Sequence, residues 1–280
     1  MILIDYSGMI ISTITVLYDK NFSLDLVRHS ALSSIRLIKN KFGREYGDLV
    51  FACDDTNNWR KKLYPYYKAN RKKDRDSSMM DWNQIFEYIN TVKLELKETF
   101  PYYVLQVPTA EADDIISALC QRKPSNEKVL IYSADGDFVQ LQRYPNVHQY
   151  SPRTKKMLKT SDPLITLYDH ILSGDKGDGV PNILSEDSVF VDNKRQKTLR
   201  TARKNAMIND LVKGILPFDG ELRRNFERNR SVIDLSMVPE SIVNEAWDQF
   251  SSYKKLDRSR LMNYFIMNNL MNHMSNLQEF

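Results

Sequence analysis

The chain is poor in several residue types and patterns that often carry chemistry. Of its 280 residues two are cysteine, Cys53 and Cys120, with no C-x-x-C spacing. That count excludes a cysteine-built zinc site, and the pair reads as reduced, buried thiols of a cytosolic protein. Four histidines, His29, His148, His170 and His273, are scattered, and none stands with a Ser or Cys nucleophile; they read as core or surface residues. No run of 18 apolar residues is present, so no membrane span is expected. The opening M-I-L-I-D-Y-S lacks a basic segment followed by an apolar one, so no signal peptide is expected. A P-loop is excluded because G-x-x-x-x-G-K-S/T is missing. An aspartyl-nucleophile phosphatase would want D-x-D after the first strand, where this chain has D-Y-S. Internal repeats and low-complexity linkers are also missing.

What is present is an ordinary globular composition, 42% hydrophobic and 27% charged, enough for one large domain or two modest ones. The net charge of +4 is small, but its distribution is not even. Between Trp59 and Asp76, eight Lys and Arg face two Asp. Such segregation of a basic stretch from acidic clusters suggests an anionic polymer held near a metal site.

The acidic clusters centre on Thr109 to Phe138. T-A-E-A-D-D-I-I-S-A-L-C reads as a helix with Thr109 as its N-cap and Glu111, Asp113 and Asp114 in its opening turn. K-V-L-I-Y-S-A-D-G-D-F reads as a buried strand, Val129 to Tyr132, delivering Asp135 and Asp137 across a glycine. Carboxylates this crowded repel one another, and with no Lys or Arg inside either cluster a divalent metal is the natural counter-charge. A solvated acidic turn is the alternative.

Elsewhere the pattern repeats. Met1 to Tyr6 is a strand ending in Asp5 and broken by Ser7-Gly8; Leu49 to Cys53 is a strand closed by Asp54-Asp55. Acids at such strand ends are where open α/β sheets place functional residues, although a turn or capping Asp reads equally well. Ser23 to Phe42 has helical periodicity with Gly43 as its stop, Asp81 to Thr99 forms another helix, Tyr102 to Val107 a third strand, and Val147 to Tyr150 a further short one. In W-R-K-K-L-Y-P-Y-Y-K-A-N-R-K-K-D-R-D, the aromatics Trp59, Tyr64, Tyr66 and Tyr67 interleave with Arg60, Lys61, Lys62, Lys68, Arg71, Lys72, Lys73 and Arg75. The mixture suits phosphates and unpaired bases; a solvated helix face with core tyrosines is the plainer reading. Beyond Pro163 the strands fade. Leu164 to Leu172 is helical, and Asp175 and Asp178 flank a glycine-rich turn, S-G-D-K-G-D-G-V-P, whose Asp residues also suit turn chemistry alone. Lys197, Arg200 and Lys204 fall at i, i+3 and i+7, one face of an expected helix.

Taken in order, strand-Asp5, strand-Asp54 with the basic segment, E-A-D-D, A-D-G-D-F and G-D-K-G-D-G-V-P resemble the 5′-nuclease (flap endonuclease) superfamily, and within it the phage ribonuclease H group of the T-even type. The resemblance covers nearly the whole chain. It implies an α/β fold, a mostly parallel central sheet flanked by helices with a helical arch at about 59–80, plus a smaller all-helical C-terminal domain. It places the catalytic domain at 1–160 and a duplex-binding domain at 161–280. Asp5, Asp54, Glu111, Asp113 and Asp135 match one metal cluster, and Asp137, Asp175 and Asp178 a second; Asp114 would support them from behind, and Asp55 would be a bystander. Lys68 and Arg71 match the pair that engages the scissile phosphate. Arg60, Lys61, Lys72, Lys73, Arg75, Lys197, Arg200 and Lys204 are the further candidates for contacting nucleic acid. The chain departs from the family after Pro181, where N-I-L-S-E-D-S-V-F replaces a glycine-rich hairpin.

All-carboxylate sites suit Mg²⁺ or Mn²⁺. The implied activity is two-metal 5′-3′ exonuclease and flap cleavage with ribonuclease H activity, removing lagging-strand RNA primers in the cytoplasm of a phage-infected cell. The implied partners are DNA and RNA–DNA hybrids with a 5′ end, flap or fork. A single-stranded-DNA-binding protein and a sliding clamp are natural further partners, and a monomer is expected. The competing readings are a PIN-like ribonuclease and a non-catalytic DNA-structure-binding protein.

Overall fold

The computed structural model describes residues 1–18 and 22–280. Strands β1 (Ile2–Asp5), β2 (Leu49–Cys53), β3 (Tyr103–Gln106), β4 (Val129–Tyr132) and β5 (Val147–Ser151) are mutually parallel, and β6 (Lys156–Leu158) pairs antiparallel with β5 at the edge. The order across the sheet is β3-β2-β1-β4-β5-β6. The mostly parallel sheet is therefore as expected. The edge strand β6, K-M-L, is too short and polar to stand out in the sequence.

Residues two apart along each strand share a face, and here both faces are apolar. Ile2, Ile4, Leu49, Phe51 and Leu130 pack into one core with α1 (Tyr6–Leu17), α2 (Leu24–Tyr46) and α5 (Trp82–Thr99). Leu3, Val50, Ala52, Val129 and Ile131 pack into a second core, with α6 (Ala112–Arg122) and α10 (Glu240–Ser252). A third core lies among α7 (Pro163–Ser173), α8 (Thr201–Val212) and α9 (Gly220–Ile233). From Leu235 onward the chain returns to the sheet. α10 joins the second core, while Leu261 and Phe265 of α11 (Leu261–Met267), with Phe280, are fully buried in the first; α12 (Met271–Met274) lies between α11 and Phe280. The basic segment carries two short helices, α3 (Arg60–Leu63) and α4 (Asn70–Asp76).

Caps fix several boundaries. Ser23 Oγ accepts from Leu26 N, and Asp81 Oδ1 accepts from Asn83 N and Gln84 N; each such cap is worth about 1 kcal/mol. Four local expectations are corrected. Ser7-Gly8 does not break the chain, because β1 passes straight into α1 with Asp5 as the N-cap. α2 runs through Gly43 and stops at Gly47, whose φ of 86° suits only glycine comfortably. Thr109 is not the cap of α6: it sits at φ 64° in a turn, and Glu111 takes the capping position. Lys197, Arg200 and Lys204 do not share a helix face, because residues 194–200 are irregular and α8 begins at Thr201. No helix among the described residues is long and apolar enough to cross a membrane.

Candidate active site

The chain runs outward from β1 to β2 and β3, then crosses back to place β4 on the other side of β1. The reversal leaves a crevice beyond the carboxyl ends of β1 and β4, the place where open α/β sheets bind ligands. Asp5 ends β1, Asp54 follows β2, and Asp135 follows β4. α6 brings its amino end to the same edge: Ala112 N donates to Asp54 Oδ1 at 2.9 Å. Asp113 stands one residue further on.

Gly8 leaves room at this edge for the Asp5 carboxylate. Asp5 Oδ1 accepts from Gly8 N at 2.9 Å, and a Cβ on Gly8 would stand 2.4 Å from Asp5 Oδ2. Asp135 Oδ1 accepts from Asp137 N at 2.9 Å and so starts the 3₁₀ helix Gly136–Arg143, which aims Asp137 toward α7. Asp55 is not a bystander. Its Oδ2 accepts from Thr109 N at 2.9 Å, and this bond holds its carboxyl below the usual range and fixes the turn entering α6.

The electrostatics of the edge divide in two. Burial, then Asp54 and Asp135, push the Asp5 carboxyl up to about 7. Burial and the neighbouring Asp5 and Asp135 raise Asp113 well above its usual range. Burial and Asp135 likewise lift Asp137 to about 7, although His170 opposes this. Asp5 and Asp113 feel Lys68 only at a distance, and Asp137 faces only His170, so the nearby cations do not offset the crowding. The burial and mutual repulsion of these carboxylates fit a divalent counter-ion. Glu111 behaves in the opposite way. Burial alone would raise it, but Lys68 and Arg60 bring it down to about 2.

Glu111 is the anchor of the basic segment. Its Oε2 accepts from Arg60 Nη1 at 3.0 Å and lies 2.9 Å from the Tyr67 hydroxyl, and its Oε1 accepts from Lys68 Nζ. Asp178 receives Arg71 Nη2 at 2.6 Å and lies 3.4 Å from Lys68 Nζ and 2.8 Å from the Tyr67 hydroxyl. Burial works against the Lys68 charge, yet Asp178 and Glu111 outweigh it and hold the ammonium above its ordinary range. Lys68 and Arg71 therefore reach the edge of the acidic cluster. The approach is close at the backbone as well: Lys68 N donates to Asp178 O at 2.8 Å, and a Cβ on Gly179 (φ 73°) would meet Tyr66 O at 2.9 Å.

Arg60 and the aromatics require correction. Arg60 is 2% exposed, paired with Asp114 Oδ1 at 2.7 Å as well as Glu111, with its Nε donating to Val232 O. It cannot contact nucleic acid from there. Asp114 is fully buried; besides Arg60 it accepts from Trp59 Nε1 and Glu111 N, so it fastens the root of the basic segment to α6. Trp59, Tyr64 and Tyr67 are buried and cannot stack on bases; Tyr64 and Tyr67 belong to the core of the α7–α9 unit. Lys61, Lys72 and Lys73 are exposed, whereas Arg75 is half-buried over the ring of Phe86. A groove of about 930 Å³ opens beside α4, lined by Lys73, Lys176, Lys194, Arg195, Lys197 and Lys204 among others. Arg200 is exposed nearby in sequence, and Lys204 pairs with Asp169 at 2.7 Å.

The second acidic group differs from expectation by one member. Asp137 and Asp175 come together, but Asp178 turns toward Lys68 and Arg71. The third member is His170, whose Nδ1 lies 3.2 Å from Asp137 Oδ1 and whose Nε2 lies 3.4 Å from Asp175 Oδ2. Among the described residues these three bring their ligand atoms within 4.8 Å of one another. His170 was missed because its partner Asp137 is 33 positions away; the available signal was a histidine in the last turn of the helix leading to the Asp175 loop.

The chain is similar to known proteins along its whole length. The pattern of the 5′-3′ exonuclease, N-terminal resolvase-like domain matches residues 15–167, and that of the T4 RNase H C-terminal domain matches residues 161–280. Ribonuclease H of Enterobacteria phage T4 is 34% identical, the match covering 99% of this chain and 95% of that protein. A 5′-3′ exonuclease of Buchnera aphidicola subsp. Acyrthosiphon pisum is 28% identical over 57% of this chain and 58% of its own length. In fold, the chain is similar to the 5′-exonuclease of phage T5 with zinc bound (TM-score 0.66, 16% identity, covering 90% of this chain and 98% of that one). It is equally similar to the T5 flap endonuclease in a pseudo-enzyme–product complex with DNA and metal ions (TM-score 0.66, 16% identity, covering 89% and 97%). With both halves matched and the T4 relative aligned along its length, the chain belongs to the 5′-3′ exonuclease family of phosphodiester-hydrolysing nucleases, in the T4 RNase H-type group.

Proposed function

We propose that this nuclease is a divalent-metal-dependent 5′-3′ exonuclease and flap endonuclease with ribonuclease H activity. It acts from 5′ ends of RNA–DNA hybrids, duplex DNA and flaps, and removes lagging-strand RNA primers during phage replication in the host cytoplasm. The observation that carries the reading is the meeting of Asp5, Asp54, Asp113 and Asp135 at the sheet crevice with Lys68 and Arg71 at its rim. Asp5, Asp54, Asp113 and Asp135, with Glu111, would hold one Mg²⁺ or Mn²⁺, and Asp137 and Asp175 a second, with Asp178 joining that side of the site to Lys68 and Arg71. Bound there, the ions supply a water activated for attack and a counter-charge for the leaving oxygen.

The chain's own residues do the rest. Lys68 and Arg71, poised on Glu111 and Asp178, share the negative charge that grows on the phosphate. The Tyr67 hydroxyl, between Glu111 and Asp178, keeps the root of the basic segment in register with both acidic groups. Residues 1–160 carry the first cation site and the basic segment, and 161–280 contribute Asp175 and Asp178 to the second. Within 161–280, the groove lined by Lys176, Lys194, Arg195 and Lys197 takes the duplex, and the helices after Leu235 brace the sheet. Single-stranded-DNA-binding protein and sliding clamp remain the partners this task implies, and the reading treats the working unit as a monomer.

The test is cleavage of a 5′-labelled RNA–DNA hybrid and of a 5′-flap DNA with Mg²⁺, with Mn²⁺ and with EDTA, using wild type and Asp135→Asn. Metal-dependent release of short 5′ products, lost in the variant, is the expected outcome. Binding of the flap without cutting under any metal condition would overturn the reading.

A further inference from the structure

We propose that His170 is a ligand of the second cation site, giving that site one nitrogen donor among its carboxylates and a preference for first-row transition ions over Mg²⁺. The inference deepens the two-ion reading above and rests on it.

The imidazole stands between the two carboxylates, with a different ring nitrogen facing each. Cis ligands of an octahedral ion at about 2.1 Å stand about 3 Å apart; His170 Nε2 lies 3.4 Å from Asp175 Oδ2, so an ion shared with Asp175 takes Nε2, while Nδ1, 3.2 Å from Asp137 Oδ1, orients the ring from its other side. The ring is built into position. His170 O accepts from Gly174 N at 2.8 Å, closing the last turn of α7. Gly174 then turns the chain at φ 71°, where a Cβ would meet Val180 O at 2.4 Å, so that Asp175 comes back beneath the ring. Asp137 arrives from the opposite side, on the 3₁₀ helix that Asp135 caps. Three elements thus converge on one small volume with two carboxylates and one imidazole.

Donor chemistry decides the selectivity. Mg²⁺ favours an all-oxygen octahedron and gains little from imidazole, whereas transition ions gain from it. A competing role is conceivable on the same distances: His170 as a fixed cationic partner of Asp137 and Asp175, with any ion held by oxygen alone. The two roles differ in whether nitrogen is bonded to the ion.

The measurement is pulsed electron paramagnetic resonance on the full chain with two equivalents of Mn²⁺, comparing unlabelled protein with protein carrying ¹⁵N-histidine. His29 and His273, which face each other at 3.1 Å, and His148, whose ring packs on Tyr46, are controlled for by the His170→Gln variant. Directly coordinated ¹⁴N modulation, replaced by the ¹⁵N pattern on labelling and lost in His170→Gln, is the expected result. Calorimetry should show His170→Gln weakening Co²⁺ binding at one site about tenfold while Mg²⁺ affinity moves less than about twofold. The labelling comparison shows whether a histidine nitrogen is bonded to the ion, and the loss on substitution assigns it to His170; His170→Asn serves where His170→Gln does not fold. Two bound Mn²⁺ without nitrogen modulation would overturn the role of His170 and leave the two-ion reading standing. Failure to bind Mn²⁺ at all would overturn both.

Discussion

Arg60 is a cation sunk among anions, and its removal should be felt as stability before it is felt as activity. Arg60→Met strands Glu111 and Asp114 without their shared partner. Breaking a buried pair in this way costs about 3–5 kcal/mol, measurable as a shift in the urea midpoint; a loss under about 1 kcal/mol would contradict the anchoring role. Asp5 behaves in the opposite sense. Its folded carboxyl titrates near 7 against 3.8 for the free group. A raised folded value contributes stability below the unfolded value and loses it as pH climbs through the folded one. In EDTA, Asp5→Asn should therefore melt close to wild type at pH 4 and roughly 2–8 °C above it at pH 7.5. A variant less stable than wild type at pH 7.5 would contradict it. Single residues were legible where their chemistry was local. Acids at strand ends announce themselves, whereas Lys68 and Arg71 were set apart from the other cations of the segment only through the family resemblance. His170 and the burial of Arg60, Trp59 and Tyr67 were not legible, because each depends on a partner from 33 to more than 170 positions away.

At the scale of elements, the basic segment and the G-D-K-G-D-G-V-P loop act as one piece, joined through Lys68 N, Tyr66 O and the three side chains on Asp178. Lys68→Ala should lower kcat by roughly 10²–10³-fold with little change in KM, since the ammonium serves the charge developing on the phosphate. An equal loss in binding of uncut flap would show instead that it serves only to hold substrate. Strand and helix periodicity revealed most elements here, because both sheet faces are apolar and the helices are long. The misreadings arose where glycine signals were ambiguous. Gly8 looked like a break and is instead the vacancy that admits the Asp5 carboxylate. Gly43 looked like a stop, yet α2 passes through it with nothing closer to a Cβ there than Lys39 Cγ at 3.4 Å. The basic run at 194–204 looked helical by charge spacing alone, which is a weak cue without an apolar face to match it.

At the scale of the whole molecule, six Lys and Arg line one groove, so affinity for duplex should be set largely by counterion release. Neutralising Lys72, Lys73, Lys197 or Arg200 to Gln should each reduce the slope of log K against log salt by about 1, with little effect on the cutting rate at saturating substrate. An unchanged slope in all four would place the duplex elsewhere. The architecture also bears on how such a chain can change over time. Asp5 terminates a central strand and opens the next helix with no connecting residue between them. One added residue there would turn the carboxylate to the opposite face of the sheet, so that junction is closed to insertions and deletions. Length variation among relatives must collect at the looser joints, such as the six residues from Asp54 to Trp59 between β2 and α3, and substrate habits can diverge there while the strand-to-helix corner at Asp5 stays fixed.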